Sequence, residues 1–302
     1  MGLIKVILNP VAGRGRGAKL EPEVCRLLKA EGLDFDLVRT ARPWHAAELA
    51  EQAVSAGFEI IVAVGGDGTT HEVVNGLMAA SGDGIAGTLG IIPVGSGSDF
   101  AHAVGVPPDL RGACHRLAHG QTRVVDVARV TMPGRASRYF DNTLGIGFDG
   151  VVTVETRKVK RLRGIALYLS VVLKTIFLYY KAPLVTIEYD GEKLVLPALM
   201  ICVANGPREG GGFLVAPQAQ PDDGLFDLCI AGQVSRLTML ALIPRFMKGT
   251  HVSHKQITMA RARRVIISSP DNLVAHADGE VLCTDGHRLE CEILPRRLRV
   301  WC

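Results

Sequence analysis

The sequence predicts an α/β chain of two domains, a Rossmann-like three-layer N-terminal domain over residues 1–125 and a C-terminal antiparallel β-sandwich over residues 126–302. Three observations carry this. The chain has 302 residues, more than the ~250 at which single hydrophobic cores stop growing. Its first part alternates short apolar runs with segments of helical periodicity, the pattern of parallel strands covered by helices. Near residues 122–130 the alternation gives way to closely spaced apolar runs broken by Gly, Pro and Asp, the pattern of an antiparallel sandwich.

The elements follow in order. Residues 3–8 are the first strand, followed by a helix over 18–31, a strand over 34–40 and a helix over 46–56. A strand over 60–64, a helix over 70–80, a strand over 89–93 and a helix from Asp99 complete the first domain. These strands are too apolar to have a wet face, so helices must cover the sheet, and in such sheets ligands sit at the carboxyl ends of the strands. Strands of the second domain are expected at 124–131, 138–146, 184–189, 199–204, 224–231, 264–268, 273–277 and 298–300.

With 48% hydrophobic and 21% charged residues, the chain can bury a core without disulfides or metals, which excludes disorder and collagen-like repetition. Seven cysteines, an odd number with no metal-ligand spacing, read as reduced thiols of a cytoplasmic protein. The opening apolar run breaks at once at Asn9-Pro10, too soon for a secretory signal, and Gly2 opens no myristoylation motif. A net charge of +4 argues for no nucleic-acid partner, but its distribution is uneven. Nine Lys and Arg against three acids between Arg135 and Lys181 make a local +6, centred on residues 157–163, which leaves the rest of the chain at −2. Residues 164–180 follow directly: 17 residues with Lys174 among them, short of the ~20 that span a bilayer. They read as a partly buried helix packed on the sandwich, or as an interfacial one whose basic neighbours attract anionic headgroups.

Many of the 34 glycines lie in loops. The strand 60–64 runs into Gly65-Gly66-Asp67-Gly68-Thr69-Thr70 and then a helical segment. Such a turn presents backbone N–H groups without side-chain obstruction, and an anion fits there. Asp67 is a poor neighbour for phosphate unless Mg²⁺ lies between them or the carboxylate holds a hydroxyl. A second loop, Gly95-Ser96-Gly97-Ser98-Asp99-Phe100, follows the next strand, and a third, Asn9-Pro10-Val11-Ala12-Gly13-Arg14-Gly15-Arg16-Gly17, follows the first. Neither P-loop nor G-x-G-x-x-G spacing is present. Together the loops describe a polyphosphate cradle, with Arg14, Arg16 and Lys19 as countercharges.

These motifs resemble the diacylglycerol kinase catalytic family, which includes bacterial soluble lipid kinases and the sphingosine and ceramide kinases. The resemblance continues through Glu72-Val73-Val74-Asn75-Gly76, Gly145-Ile146-Gly147-Phe148-Asp149, Asn205-Gly206, Gly210-Gly211-Gly212-Phe213, Asp222-Asp223-Gly224-Leu225 and Asp278-Gly279-Glu280, in the family's order. It implies a cytoplasmic ATP-dependent lipid kinase of phospholipid metabolism, peripherally associated with an anionic membrane surface, with ATP and lipid meeting in a cleft between the domains. ATP contacts would come from Asn9, Pro10, Val11, Ala12, Gly13, Thr40, Gly66, Asp67, Gly68, Thr69, Thr70, His71, Glu72, Ser96 and Asp99. Asp278 or Glu280 would take the proton of the lipid hydroxyl, with Asp67 also in the catalytic set. Mg²⁺ would be held by Asp223 with main-chain oxygens near Gln220 and Leu225.

Departures from the family are His71, where bacterial diacylglycerol kinases usually have Asn, Ser98 in place of the usual Asn, and Gln220 near the metal position. The chain stops at Cys302, so no segment is expected to return from the second domain to the first. The acceptor is left open among diacylglycerol, a sphingoid base, phosphatidylglycerol and NAD. A non-catalytic nucleotide or lipid sensor is the alternative of a different class, and a homodimer is compatible with the sequence.

Overall fold

The computed structural model describes residues 2–95, 97–159 and 164–302, and the chain divides into two compact units. The first comprises Met1–Val127 and Pro295–Cys302, and the second Ala128–Leu294.

In the first unit, β1 (Ile4–Leu8), α1 (Ala12–Ala30), β2 (Phe35–Arg39), α2 (His45–Ser55), β3 (Ile60–Gly65), α3 (Asp67–Ala80), β4 (Thr88–Pro93), α4 (Asp99–Ala103) and α5 (Leu110–His119) alternate as the hydrophobic pattern requires. The strands are parallel in the order β4-β3-β1-β2. Every residue of β3 and β4 is buried, while the edge strand β2 is half-exposed, as expected for a sheet covered by helices. Helix α2 packs on α3 and α1 on α5, and each pair meets the sheet. The helix expected from residue 18 begins at Ala12, but Gly13, Arg14 and Gly15 inside it have φ of 57°, 60° and 87°. The regular helix therefore starts only after this left-handed stretch.

The second unit is built from β5 (Thr122–Thr131), which crosses the boundary, then β6 (Arg138–Phe140), β7 (Thr143–Gly147), α6 (Phe148–Thr156), α7 (Gly164–Leu178), β8 (Leu184–Tyr189), β9 (Glu192–Ala204), β10 (Phe226–Gly232), α8 (Arg236–Lys248), β11 (Ile257–Ala262), β12 (Arg264–Ala277) and β13 (Glu280–Trp301). Strands β7 to β12 pair antiparallel. Both β9 and β12 are long enough to pair with β8 through their first halves and with β7 through their last residues, so the four strands close on one another. Inside lies an apolar core that includes Phe140, Leu144, Ile146, Val203, Phe226 and Leu228, with the Phe140 and Phe226 rings stacked at 6.0 Å.

Three expectations are corrected. The strand expected over 138–146 is broken at Asp141-Asn142 into β6 and β7, where the main chain turns to meet Asp278. The strands expected over 264–268 and 273–277 are one bulged strand, β12. The chain does return to the first unit: Val300 pairs parallel with Leu89, Trp301 Nε1 donates to the Arg116 carbonyl at 2.9 Å, and Arg296 N–H donates to Asp126 Oδ1 at 2.7 Å. The last apolar run thus adds a strand to the first sheet instead of ending the sandwich.

Segment 164–180 forms α7, with Val171, Val172 and Ile176 buried, packed on α6 and α8. Among the described residues no helix is long and apolar enough to cross a membrane.

Candidate functional site

The three glycine loops leave the carboxyl ends of β1, β3 and β4 and converge. Asn9 Nδ2 donates to Thr69 Oγ1 at 2.9 Å, tying the first loop to the start of α3. The Asp67 carboxylate accepts the main-chain N–H of Ser98 at 2.8 Å and of Asp99 at 2.7 Å, tying the turn after β3 to the loop after β4. Glycine is required where the loops touch. A Cβ on Gly95 would lie 2.6 Å from the Gly66 Cα, and one on Gly13 the same distance from the Val94 carbonyl oxygen. The turn opens α3, whose N-terminus begins at Asp67, and the dipole of a helix favours an anion at that end.

The structure therefore brings Asn9, Gly13, Gly66, Asp67, Thr69 and Asp99 together, and Gly68 lies in the same turn. Pro10, Val11 and Ala12 form the first loop, whose following residues Arg14 and Arg16 are exposed, as is Lys19. Thr40 joins this edge through its N–H, which donates to the Leu8 carbonyl at 2.9 Å. Glu72 does different work: its carboxylate accepts the Ala46 N–H at 3.1 Å, at the start of α2. Thr70 and His71 are buried in α3, with the His71 ring edge-on to Trp44 at 5.7 Å. Ser96 lies outside the described residues.

In the second unit the Asp278 carboxylate accepts N–H groups from Asp141 and Asn142, each at 3.1 Å, and from Thr143 at 2.9 Å. It is 8% exposed, in a left-handed turn of φ 49°. This is an anchor for the 141–143 turn, whatever else the carboxylate does. Asp278→Asn keeps the turn but places an NH₂ against a main-chain donor, so urea unfolding should give a loss of about 2 kcal/mol, the scale of hydrogen bonds to a charged group. Glu280 is partly exposed and paired with Arg157 at 2.6 Å.

Asp223 Oδ1 accepts the Leu225 N–H at 3.1 Å, Oδ2 is paired with Arg261, and Gln220 is exposed. The carboxylate charge expected to hold Mg²⁺ is already met by a guanidinium and both oxygens are engaged. As arranged, these residues do not fit a resident divalent ion.

An apolar pocket opens in the same unit, lined by side chains that include Phe148, Tyr168, Val172, Phe213, Met239 and Phe246. Asp149 and Tyr168 supply the polar groups of its lining among the described residues, and the Tyr168 hydroxyl donates to Asp149 Oδ1 at 2.9 Å. Behind Asp149, His276 Nε2 lies 3.2 Å from Asp149 Oδ2 and 2.8 Å from Glu209 Oε1. All three side chains are buried. Burial, followed by the neighbouring Asp149 charge, pushes Glu209 up to about 8. Burial acts to raise Asp149 too, but His276, Glu209 and Tyr168 outweigh it and hold Asp149 below the usual carboxylate range.

Sequence reasoning did not place Asp149, Tyr168, Glu209 and His276 in the site. Asp149 and Gly210 stood in quoted motifs, and His276 sits two residues before Asp278. Their meeting depends on strand register: His276 in β12 stands opposite Gly145 in β7, two neighbours no sequence spacing relates.

The fold has counterparts among solved structures. A diacylglycerol kinase structure from Bacillus anthracis superposes with a TM-score of 0.75 at 24% identity, covering 99% of this chain and 96% of that one. An NAD kinase from Archaeoglobus fulgidus in complex with ATP superposes at 0.52 with 13% identity, over 99% of this chain and 93% of the other. Residues 4–130 match the diacylglycerol kinase catalytic domain, and residues 142–302 the YegS C-terminal NAD kinase beta sandwich-like domain. The diacylglycerol kinase of Bacillus subtilis is 31% identical over 280 residues, covering 91% of this chain and 89% of its own length. That of Mycobacterium tuberculosis is 28% identical over 284 residues, covering 94% and 90%. The chain belongs to the diacylglycerol kinase family, and it is a kinase.

Proposed function

We propose that the protein transfers the γ-phosphoryl group of ATP to the hydroxyl of a lipid, with diacylglycerol the leading acceptor. The observation that carries this is the apolar pocket with one carboxylate in its lining: it suits the apolar part of a lipid that also carries a hydroxyl, and offers little to a wholly polar acceptor such as NAD. The names of the relatives point the same way. The converged loops of the first unit serve the nucleotide: phosphoryl transfer is achieved by positioning and charge neutralisation, and main-chain N–H groups at a helix N-terminus supply both. Asp67 orders the loops and so acts on the phosphates through them. Asp278 and Glu280 are the family-implied acceptors of the hydroxyl proton.

Labelled γ-phosphate should be transferred to diacylglycerol, and at lower rates to other hydroxyl lipids, in a panel of diacylglycerol, sphingosine, ceramide, phosphatidylglycerol and NAD. Label in NAD alone would overturn the lipid reading, and tight ATP binding with transfer to none would make the protein a sensor.

A lipid kinase must take its substrate from a bilayer. Helix α7 supports such docking, because one side contributes Tyr168, Val172 and Ile176 to the pocket while Phe177, Leu178 and the following Tyr179 are exposed. Leu237 in the neighbouring α8 is 78% exposed, with Arg236 beside it in sequence, and Lys174 and Lys181 flank the exposed residues 177–179. The basic cluster expected to drive docking is partly neutralised: Arg157 pairs with Glu280, and Lys158 and Lys174 both pair with Glu155. Lys160, Arg161 and Arg163 lie outside the described residues. Phe177→Glu with Leu237→Glu should therefore reduce sedimentation with anionic vesicles at least as strongly as neutralising Arg157 and Lys158. Unchanged sedimentation of the double variant would remove this surface.

A further inference from the structure

The buried Asp149–Glu209–His276 cluster is larger than a structural ion pair requires. It exists because Gly145 has no side chain: a Cβ there would lie 2.2 Å from Asp149 Oδ2 and 2.3 Å from His276 Nε2. Three of its polar atoms, Asp149 Oδ2, Glu209 Oε2 and His276 Nε2, are buried without a well-aligned hydrogen bond, although such atoms are normally paired. Two carboxylates and an imidazole this close suggest either a metal site or a shared-proton site, and the main chain decides between them.

The Gly279 N–H donates to His276 Nδ1 at 3.2 Å. An Nδ1 that accepts a hydrogen bond carries no proton, so the ring proton of a neutral His276 sits on Nε2, between the carboxylates. A nitrogen bearing a proton is no metal ligand.

We propose that His276 and Glu209 are positioning residues that share protons with Asp149 and hold its carboxylate toward the apolar pocket, where Asp149 accepts a hydrogen bond from the hydroxyl of the bound lipid. This rests on the lipid-kinase reading and deepens it. Oδ2 is buried against the ring, so the ligand hydroxyl would share Oδ1, whose second lone pair is open beside the Tyr168 hydroxyl that donates to it from α7. The other titratable groups facing the cluster are the Cys202 thiol on β9 and the Cys229 thiol on β10. Burial first, and the cluster's negative charge second, push both up, Cys229 to about 12, so they stay neutral.

The sign of the pH dependence follows. Below about 8 Glu209 keeps its proton, and Asp149 is the only ionised carboxylate. As pH rises through that value, Glu209 ionises beside Asp149, and repulsion between two buried carboxylates disturbs the carboxylate aimed at the lipid.

The test uses the full-length protein and two readouts: binding of a fluorescent short-chain diacylglycerol without nucleotide, and KM and kcat against detergent-dispersed diacylglycerol from pH 6 to about 9.5, a window bracketing the His and raised-Glu range. Asp149→Asn should weaken lipid binding at least ~10-fold, or about 1.4 kcal/mol, with ATP affinity retained. In the wild type the lipid KM should rise above about pH 8, and Glu209→Gln should remove that rise. His276→Gln, which keeps a donor toward the carboxylates, should recover part of the binding lost in His276→Leu, and ¹⁵N NMR should find the His276 proton on Nε2. Identical pH profiles in wild type and Glu209→Gln, or an equimolar transition metal that disappears in His276→Gln, would overturn the proposal. A wild-type protein that binds the lipid with these variant effects but phosphorylates nothing would instead refute the kinase reading alone.

Discussion

Asp67→Ala should lower ATP affinity by at least ~100-fold, about 2.7 kcal/mol, and abolish measurable phosphotransfer. The carboxylate does not merely sit near the loops: it accepts the N–H groups of both Ser98 and Asp99, from a loop that leaves a different strand. Two charge-assisted bonds of about 1.5–3 kcal/mol each disappear together, and the loop after β4 loses its attachment to the turn after β3. Asp67→Asn should be intermediate, because one amide oxygen can replace one carboxylate oxygen while the NH₂ faces the other donor. Titration with a fluorescent ATP analogue measures this directly. Wild-type affinity in Asp67→Ala would mean that the nucleotide does not use these loops.

Gly145→Ala has the second-largest expected effect, and it acts on the other unit. In a buried strand with Asp149 and His276 already within 2.3 Å of where the new carbon would sit, neither neighbour can give way without breaking the cluster. Overpacking of this kind costs roughly 1–3 kcal/mol, and displacing two buried ionisable groups adds to it. A loss of about 3 kcal/mol or more should appear in urea unfolding, with lipid phosphorylation lost at temperatures where the protein is still folded. Gly84→Ala is the control: its Cβ would meet nothing nearer than 3.6 Å, so the change should stay within about 0.5 kcal/mol.

How much of this was legible in the sequence depended on whether a feature is local. The alternation of buried strands and helices in the first unit is a periodicity, and it placed β1 to β4 and the loops at their carboxyl ends. That Asp67 reaches across to Ser98 and Asp99 was not legible, because the spacing of two loops says nothing of which backbone donors their side chains meet. In the second unit the runs at 184–189 and 199–204 were found. β13 was read only as its last three residues, because its first half is polar enough to hide in a long two-sided ribbon. Its return to the first unit, with Val300 beside Leu89, is a long-range pairing that no local pattern signals. The pairing of Asp223 was hidden for a related reason: Arg261 meets it from β11, 38 residues away.

The same distinction explains the pocket. From the sequence, segment 164–180 reads as a partly buried helix packed on the sandwich or as an interfacial one, and in the structure part of its surface lines a cavity beside Asp149. Hydrophobicity alone could not separate those uses, since a helix that lines a lipid pocket and meets a bilayer is apolar for both purposes.

The central claim is that one chain holds a hydroxyl lipid and phosphorylates it from ATP. Native mass spectrometry of the purified protein, loaded with short-chain diacylglycerol and then given magnesium and ATP, tests it most directly. The bound lipid is expected to gain the mass of one phosphoryl group in the wild type and not in Asp67→Ala. A lipid that stays unmodified while ATP is bound, or a protein that takes up no lipid at all, would contradict it.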